Sequence, residues 1–267
     1  MKSLTEMLTA ERPVLGTWSQ LGSPEAIDIL GAAGFDFTII DAEHGSFGME
    51  AVENLVRACD AAAIVPLVRV PSADPMHITR ALDAGAAAVV VPGIRSVEEA
   101  AAAIACGRFA PEGVRGACPC VRAGGHWVED WRGYAASCER ETGIVALAET
   151  TGALDDVGAI CELPGLRALM IGPFDLSVAL GLQGDTHHPQ LVGAIRRMLG
   201  AARKRSVPAI LPVFAPDLIE ARKQVESWHS EGVRHFTLGT DKILLHSQSA
   251  RFVTGLRGTL GEAPETP

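Results

Sequence analysis

Four short stretches carry side chains that could do proton-transfer or metal chemistry: "IIDAEHGS" (39–46), "PLVRV" (66–70), "LAET" (147–150) and "GPFDLS" (172–177). In each, a charged group stands at or just behind the end of an apolar run. An imidazole titrates near neutral pH and passes protons readily, so His44 is the candidate general base, with Asp41 or another acid to fix its tautomer. Glu149 and Asp175 suit a hard divalent cation such as Mg²⁺, which prefers a few carboxylates and leaves its other positions to water and substrate oxygens. Arg69 beside such an ion would meet a developing oxyanion. Each residue also has a plainer reading, because a carboxylate after a strand often caps the next helix and an arginine often joins a surface ion pair. Glu43 could line the metal's water shell or organise its loop. No H-E-x-x-H motif or Cys/His ligand pair is present, which disfavours zinc held wholly by protein.

Positioning these groups requires strands that end together. Apolar, β-branched runs recur at 14–18, 37–41, 64–70, 87–93, 144–149, 168–172, 208–214 and 235–239, with helix-like, alanine-rich stretches such as 23–34, 49–62, 74–85 and 96–110 between them. Short apolar strands alternating with helices predict parallel strands buried on both faces. Eight such repeats in a chain of this length predict a (β/α)8 TIM barrel, whose catalytic groups sit at the carboxyl ends of the strands. A doubly wound sheet is the second choice, but its G-x-G-x-x-G turn after the first strand is absent. The rhythm breaks at about 111–143, a long Gly-, Arg- and Trp-rich loop of the kind that is usually functional or a lid. A flexible tail is expected from about 260.

A length of 267 residues with 48% hydrophobic composition fits one large α/β domain or two small ones, and the eight strand–helix repeats favour a single barrel domain over 1–267. The net charge of −9, with scattered Lys and Arg, argues against nucleic acid. No signal-like or membrane-spanning apolar run is present, so a cytoplasmic enzyme acting on small molecules is expected. The six cysteines read as small buried hydrophobes, with "CPC" (118–120) the odd local feature. "THHP" (186–189) reads as a helix lead-in.

"GTWSQLGSPEAIDILGAAGFDFTIIDAEHG", "PLVRV", "RALDAGAAAVVVP", "PEGVRG", "LAET", "IGPFDLS", "HHP" and "GTDKILL" together resemble the HpcH/HpaI aldolases, the metal-dependent class II pyruvate aldolases, over roughly residues 12–255. The resemblance implies that Glu149 and Asp175 bind a divalent cation (Mg, Mn or Co) and that His44 is the base acting on pyruvate's methyl group. It further implies that Arg69 stabilises the enolate oxygen and that Asp41 pairs with His44. Asp83 would support the histidine of a neighbouring subunit, in an oligomer, typically a hexamer, with an extra or swapped C-terminal helix used in assembly. Backbone amides at Phe174 and Asp175, behind Gly172, would hold the pyruvate carboxylate. Two positions depart from the family. Leu147 stands where many relatives carry Gln, implying a less polar site, and Phe174 replaces a small residue, implying a narrower pocket. "RAGGHWVEDW" (122–131) is also unlike the relatives.

The implied reaction is reversible retro-aldol cleavage of a 2-oxo-4-hydroxy acid to pyruvate and an aldehyde. It needs an electron sink, either a metal or a lysine Schiff base. The chain has four lysines, at 2, 204, 223 and 242, and only Lys242 closely follows a strand, so a class I mechanism is the weaker choice. The same site would also suit a CoA-ester lyase or an oxaloacetate decarboxylase, and a catalytically inactive barrel scaffold is the non-enzymatic possibility.

Overall fold

The apolar runs close on one another. In the computed structural model, which describes residues 3–259 apart from Pro216, eight parallel strands form a closed barrel in chain order. They are β1 (Val14–Ser19), β2 (Phe37–Asp41), β3 (Val65–Arg69), β4 (Ala88–Val91), β5 (Gly143–Ala148), β6 (Leu166–Ile171), β7 (Ala209–Val213) and β8 (His235–Thr240). The helices are α1 (Leu4–Leu8), α2 (Pro24–Ala32), α3 (Met49–Ala62), α4 (Pro75–Asp83), α5 (Val97–Cys106), α6 (Trp131–Glu141), α7 (Thr151–Ile160), α8 (Pro173–Ala179), α9 (Pro189–Lys204), α10 (Leu218–Ser230) and α11 (Asp241–Thr259). The expected strands and the four expected helices agree with these spans to within a few residues. Side chains supply the helix starts: Ser23, Asp74, Ser96 and Thr150 each accept a backbone N–H of the first turn. His188 does the same for α9, as the lead-in reading of "THHP" anticipates.

Successive residues of a strand point to opposite faces, and the core divides accordingly. Phe37, Ile39, Val65, Leu67, Val90, Val145, Leu147 and Met170 pack with Trp18 in the barrel interior. Ile40, Val68, Val89, Ala146, Ile171 and Phe236 pack outward against the helices. Helix α1 closes the amino-terminal mouth, since Leu4, Met7 and Leu8 are buried in the interior cluster and the carbonyl of Met7 meets His235 Nε2 at 3.0 Å. Gly16 makes room for this packing, because a Cβ there would fall 2.4 Å from the Phe37 ring.

Two expectations change. The segment 111–143 is not one long loop: it contains a 3-10 turn (Arg122–Gly124) and α6. Helix α6 lies toward the amino-terminal side, where Trp131 and Tyr134 meet the ring of Phe109 and the carbonyl of Arg140 accepts from Thr5 Oγ1, so it does not roof the strand ends. Its aromatic residues hide behind polar neighbours in the sequence, which masks the helical period. Cys59, Cys106 and Cys161 are buried as expected, but Cys118 and Cys120 are exposed. The extra C-terminal helix is present as α11, and it leaves Ile243, Leu245, Phe252 and Val253 exposed. The expected tail from 260 lies outside the described residues. Among the described residues no helix is long and apolar enough to cross a membrane.

Candidate active site

Strand alternation carries three charged side chains to the carboxyl-end mouth. Asp41 continues the inward row of Phe37 and Ile39, Arg69 that of Val65 and Leu67, and Glu149 that of Val145 and Leu147. The β2–β3 register sets Asp41 directly opposite Arg69. Arg69 Nε donates to Asp41 Oδ1 at 2.8 Å and Nη2 to Oδ2 at 2.6 Å, a two-pronged charge-assisted pairing. Nη1 lies 3.1 Å from Glu43 Oε2, and the guanidinium stacks over the Trp18 ring, 4.4 Å from its centroid. Glu43 therefore serves to hold the arginine. Burial alone would raise the Asp41 pKa, but Arg69, Gln20 and the His44 backbone outweigh it and hold the carboxyl below its ordinary range.

The expected pairing of Asp41 with the His44 ring is not formed. Both Asp41 oxygens are engaged by Arg69, and what His44 supplies to Oδ1 is its backbone N–H, at 3.2 Å, alongside that of Glu43, also at 3.2 Å. The imidazole is exposed, close enough to Glu43 to lower that residue's pKa, though burial raises it more. Gly45 completes the turn because a Cβ there would strike the carbonyl oxygen of Asp41 at 2.2 Å.

Glu149 faces the same mouth. Its Oε1 accepts from the Gly93 N–H at 2.8 Å, and its pKa is pushed up to about 7 by burial, to which the charges of Asp175 and Glu43 add. Asp175 sits exposed in the first turn of α8, beyond the end of β6. Among the described residues no three His, Cys, Asp or Glu side chains converge as a ligand set, and the pair of carboxylates that faces the mouth here is Glu149 with Asp175, near enough for its charge to raise the Glu149 pKa. That donor set fits a hard divalent ion, which keeps water and substrate oxygens in its other positions. It also fits the electrostatics, since a cation would reverse the burial and repulsion that disfavour ionised Glu149.

Gly172 makes room for Glu149, because a Cβ on it would come 2.7 Å from Glu149 Cβ and 2.9 Å from Oε2. Its φ of −97° is one alanine adopts freely, so the constraint is purely steric. Gly172→Ala is expected to displace the Glu149 carboxylate and weaken Mg²⁺ or Mn²⁺ binding by about tenfold or more, as displaced supports of metal sites do. Titration calorimetry on the folded variant reads the loss; unchanged affinity would show that Glu149 moves aside without consequence.

The HpcH/HpaI aldolase/citrate lyase family profile matches residues 15–246. The chain belongs to the HpcH/HpaI aldolase/citrate lyase family. It is, with that family, a carbon–carbon lyase of the aldolase type. A 5-keto-4-deoxy-D-glucarate aldolase of Klebsiella pneumoniae subsp. pneumoniae is 30% identical over 250 residues, 94% of this chain and 94% of its own. Among solved structures, a family protein from Burkholderia cenocepacia superposes with a TM-score of 0.86 at 32% identity, over 95% of this chain and 98% of that one. The HpcH/HpaI aldolase of Desulfitobacterium hafniense does so with a TM-score of 0.89 at 27% identity over 100% of both.

In this aldolase-family barrel the two departures fall differently. Leu147 is buried in the interior one layer below Glu149, so it makes the floor of the mouth apolar. Phe174 is exposed, and a Cβ built on Gly184 would come within 2.9 Å of its ring, so the side chain rests against the loop that follows α8. It is the second residue of α8 behind Pro173, and its N–H and that of Asp175 belong to the first turn, where the helix supplies no acceptor. Asp83, the last residue of α4, accepts from Arg115 Nη2 at 2.7 Å, and no hydrogen bond among the described residues joins it to His44. Three residues of the mouth escape sequence reading: Trp18, Gln20 and Asp241. Gln20 Nε2 donates to Asp41 Oδ2 at 2.8 Å, and Asp241 accepts from the Gln20 N–H at 3.0 Å. Their signal is the polar ends of "GTWSQ" and "GTDK", each directly behind an apolar run.

Proposed function

We propose that the chain is a divalent-metal-dependent pyruvate aldolase that cleaves a 2-oxo-4-hydroxy acid, of the sugar-acid class, into pyruvate and an aldehyde. The observation that carries this reading is the inward trio Asp41, Arg69 and Glu149, joined at the mouth by Glu43 and Asp175. Glu149 and Asp175 would hold the cation. When bound, it supplies a Lewis acid for the 2-oxo group. Arg69, fixed by two carboxylates and an indole face, keeps donors free for the oxygen that gains charge as the C3–C4 bond breaks. The first-turn N–H groups of Phe174 and Asp175 would orient the substrate carboxylate. His44 would move the proton that leaves the C4 hydroxyl and the one that arrives at C3, directly or through water; its exposed ring is free to do so, since Asp41 is committed to Arg69. The name of the Klebsiella relative supports a hydroxylated diacid as substrate.

Assembly belongs to the same reading. Helix α11 leaves Ile243, Leu245, Phe252 and Val253 exposed, which favours burial against another copy, so α11 would serve in a homo-oligomer, where Asp83 of one copy would reach His44 of another. The six free cysteines suit the reducing cytoplasm. Deuterium entry into the methyl group of pyruvate tests the chemistry: exchange in D₂O is expected with Mg²⁺, Mn²⁺ or Co²⁺ and is expected to vanish on chelation. Exchange that survives thorough chelation would overturn the metal reading, and release of pyruvate from none of a panel of 2-oxo-4-hydroxy acids would overturn the aldolase substrate.

A further inference from the structure

The carboxylate that opens α11 touches nothing in the proposed reaction, yet it is buried and heavily used. Asp241 is 6% exposed. Its Oδ1 and Oδ2 each accept from the backbone N–H of Gln20 at 3.0 Å; Oδ2 also accepts from the Leu21 N–H at 3.0 Å and the Ser19 hydroxyl at 3.3 Å. Only one contact, from the Lys242 N–H at 2.8 Å, serves its own helix. A simple cap would satisfy donors of that helix. Asp241 instead ties Ser19, the last residue of β1, and Gln20 and Leu21 of the loop behind it to the end of β8.

The loop so held aims one side chain. Gln20 Nε2 reaches Asp41 Oδ2 at 2.8 Å, and the same oxygen receives Arg69 Nη2 at 2.6 Å. Oδ1, on the other side, receives Arg69 Nε and the two backbone N–H groups of Glu43 and His44. The terminal torsion of an aspartate is soft and broad, so donors on both oxygens are what fix the plane of the carboxylate. Asp41 has no exposed surface from which water could replace a lost donor. Without the Gln20 amide, Oδ2 keeps only the arginine, and the plane that holds the guanidinium level is free to twist.

We propose that Asp241 and Gln20 are positioning residues of the mouth: Asp241 sets the loop, Gln20 sets the plane of Asp41, and Asp41 sets the direction in which Arg69 offers its remaining donors. This rests on the reading of Arg69 as the group that meets the developing oxyanion. An error of a fraction of an ångström at such a donor is costly, because oriented hydrogen bonds to charge that appears only in the transition state fall away quickly with misalignment.

The test compares wild type with Gln20→Met, which keeps the length and loses the donor, with Asp241→Asn, and with the double variant, in metal-stimulated methyl exchange of pyruvate. Each single change is expected to lower kcat about tenfold with KM altered less than about twofold, the pattern of an interaction expressed in the transition state. Because the two act in series, the double variant is expected to lose no more than the worse single one. Losses that multiply to about a hundredfold, or a change in KM alone, would overturn the relay, and so would full kcat in Gln20→Met. A crystal structure of Gln20→Met decides it independently of activity: a displaced or single-pronged Arg69–Asp41 contact is expected, whereas an unchanged pairing refutes the proposal. A folded wild type that shows no exchange with any of the three metals would refute the reaction instead, and the crystal structure would still decide the relay.

Discussion

Glu149→Gln is expected to lower metal-stimulated pyruvate exchange on the order of 10³-fold while leaving the protein folded. The amide keeps the shape and can still accept the Gly93 N–H, but it removes one of the two anionic ligands proposed for a hard cation and with it most of the charge stabilisation that ion would give. The pH behaviour is equally distinctive. In the metal-free protein the Glu149 pKa is raised from its ordinary value to about 7, so stability associated with its neutral form is complete below about pH 4.5 and is lost as pH rises through 7. Metal-free Glu149→Gln, which cannot ionise, is therefore expected to be more stable than wild type at pH 8, by on the order of 1–3 kcal/mol, with the gap closing toward pH 5. Urea unfolding at the two pH values reads this. For the same reason Mg²⁺ or Mn²⁺ binding to wild type is expected to release close to one proton at pH 6 and almost none at pH 8.5, measured as the buffer dependence of the calorimetric enthalpy. Equal release at both would remove Glu149 from the cation site.

Arg69→Ala is expected to fail in two ways at once. The substitution strands Asp41, which has no exposed surface, as an unpaired buried charge, a change that typically costs about 3–5 kcal/mol. It also removes the proposed oxyanion donor, worth roughly 10²–10³-fold in rate, with kcat and kcat/KM falling together. Adding Asp41→Asn should restore much of the stability and none of the rate, because it removes the stranded charge without replacing the donor. Arg69→Lys separates the effects from the other side: an ammonium can neutralise Asp41 but cannot reproduce the fork or stack flat on Trp18. Asp41 itself contributes its stabilisation in wild type above about pH 4, and loses it as pH falls through its depressed pKa, so Arg69→Ala should also flatten the acid limb of the stability curve. An Arg69→Ala protein with wild-type exchange would place the oxyanion elsewhere.

The two variants probe residues that became visible in the same way. Glu149, Arg69 and Asp41 each end an apolar run, and the period of two along a strand is a local property, so their arrival at one rim follows once eight such runs alternate with helices. The helices from 23 to 106 were legible for the same reason, through their caps and apolar stripes. Helix α6 was not, because its residues are mostly half-buried or exposed and its aromatic contacts lie on Phe109, more than twenty positions earlier in the chain.

What the amino-acid order determined by itself is therefore the barrel, the rim and the set of charged groups on it, since patterning, capping and strand parity are short-range. Which group partners which was decided only by the closed tertiary structure. Strand register put Asp41 against Arg69 rather than the His44 ring, the meeting of the first and last strands brought Asp241 to the loop that carries Gln20, and Phe174 came to rest against the loop behind α8. The hydrogen-bonded pairings of the mouth join residues from 21 to more than 200 positions apart in the chain, and a carboxylate in reach of several donors takes the one whose geometry and charge satisfy both its oxygens.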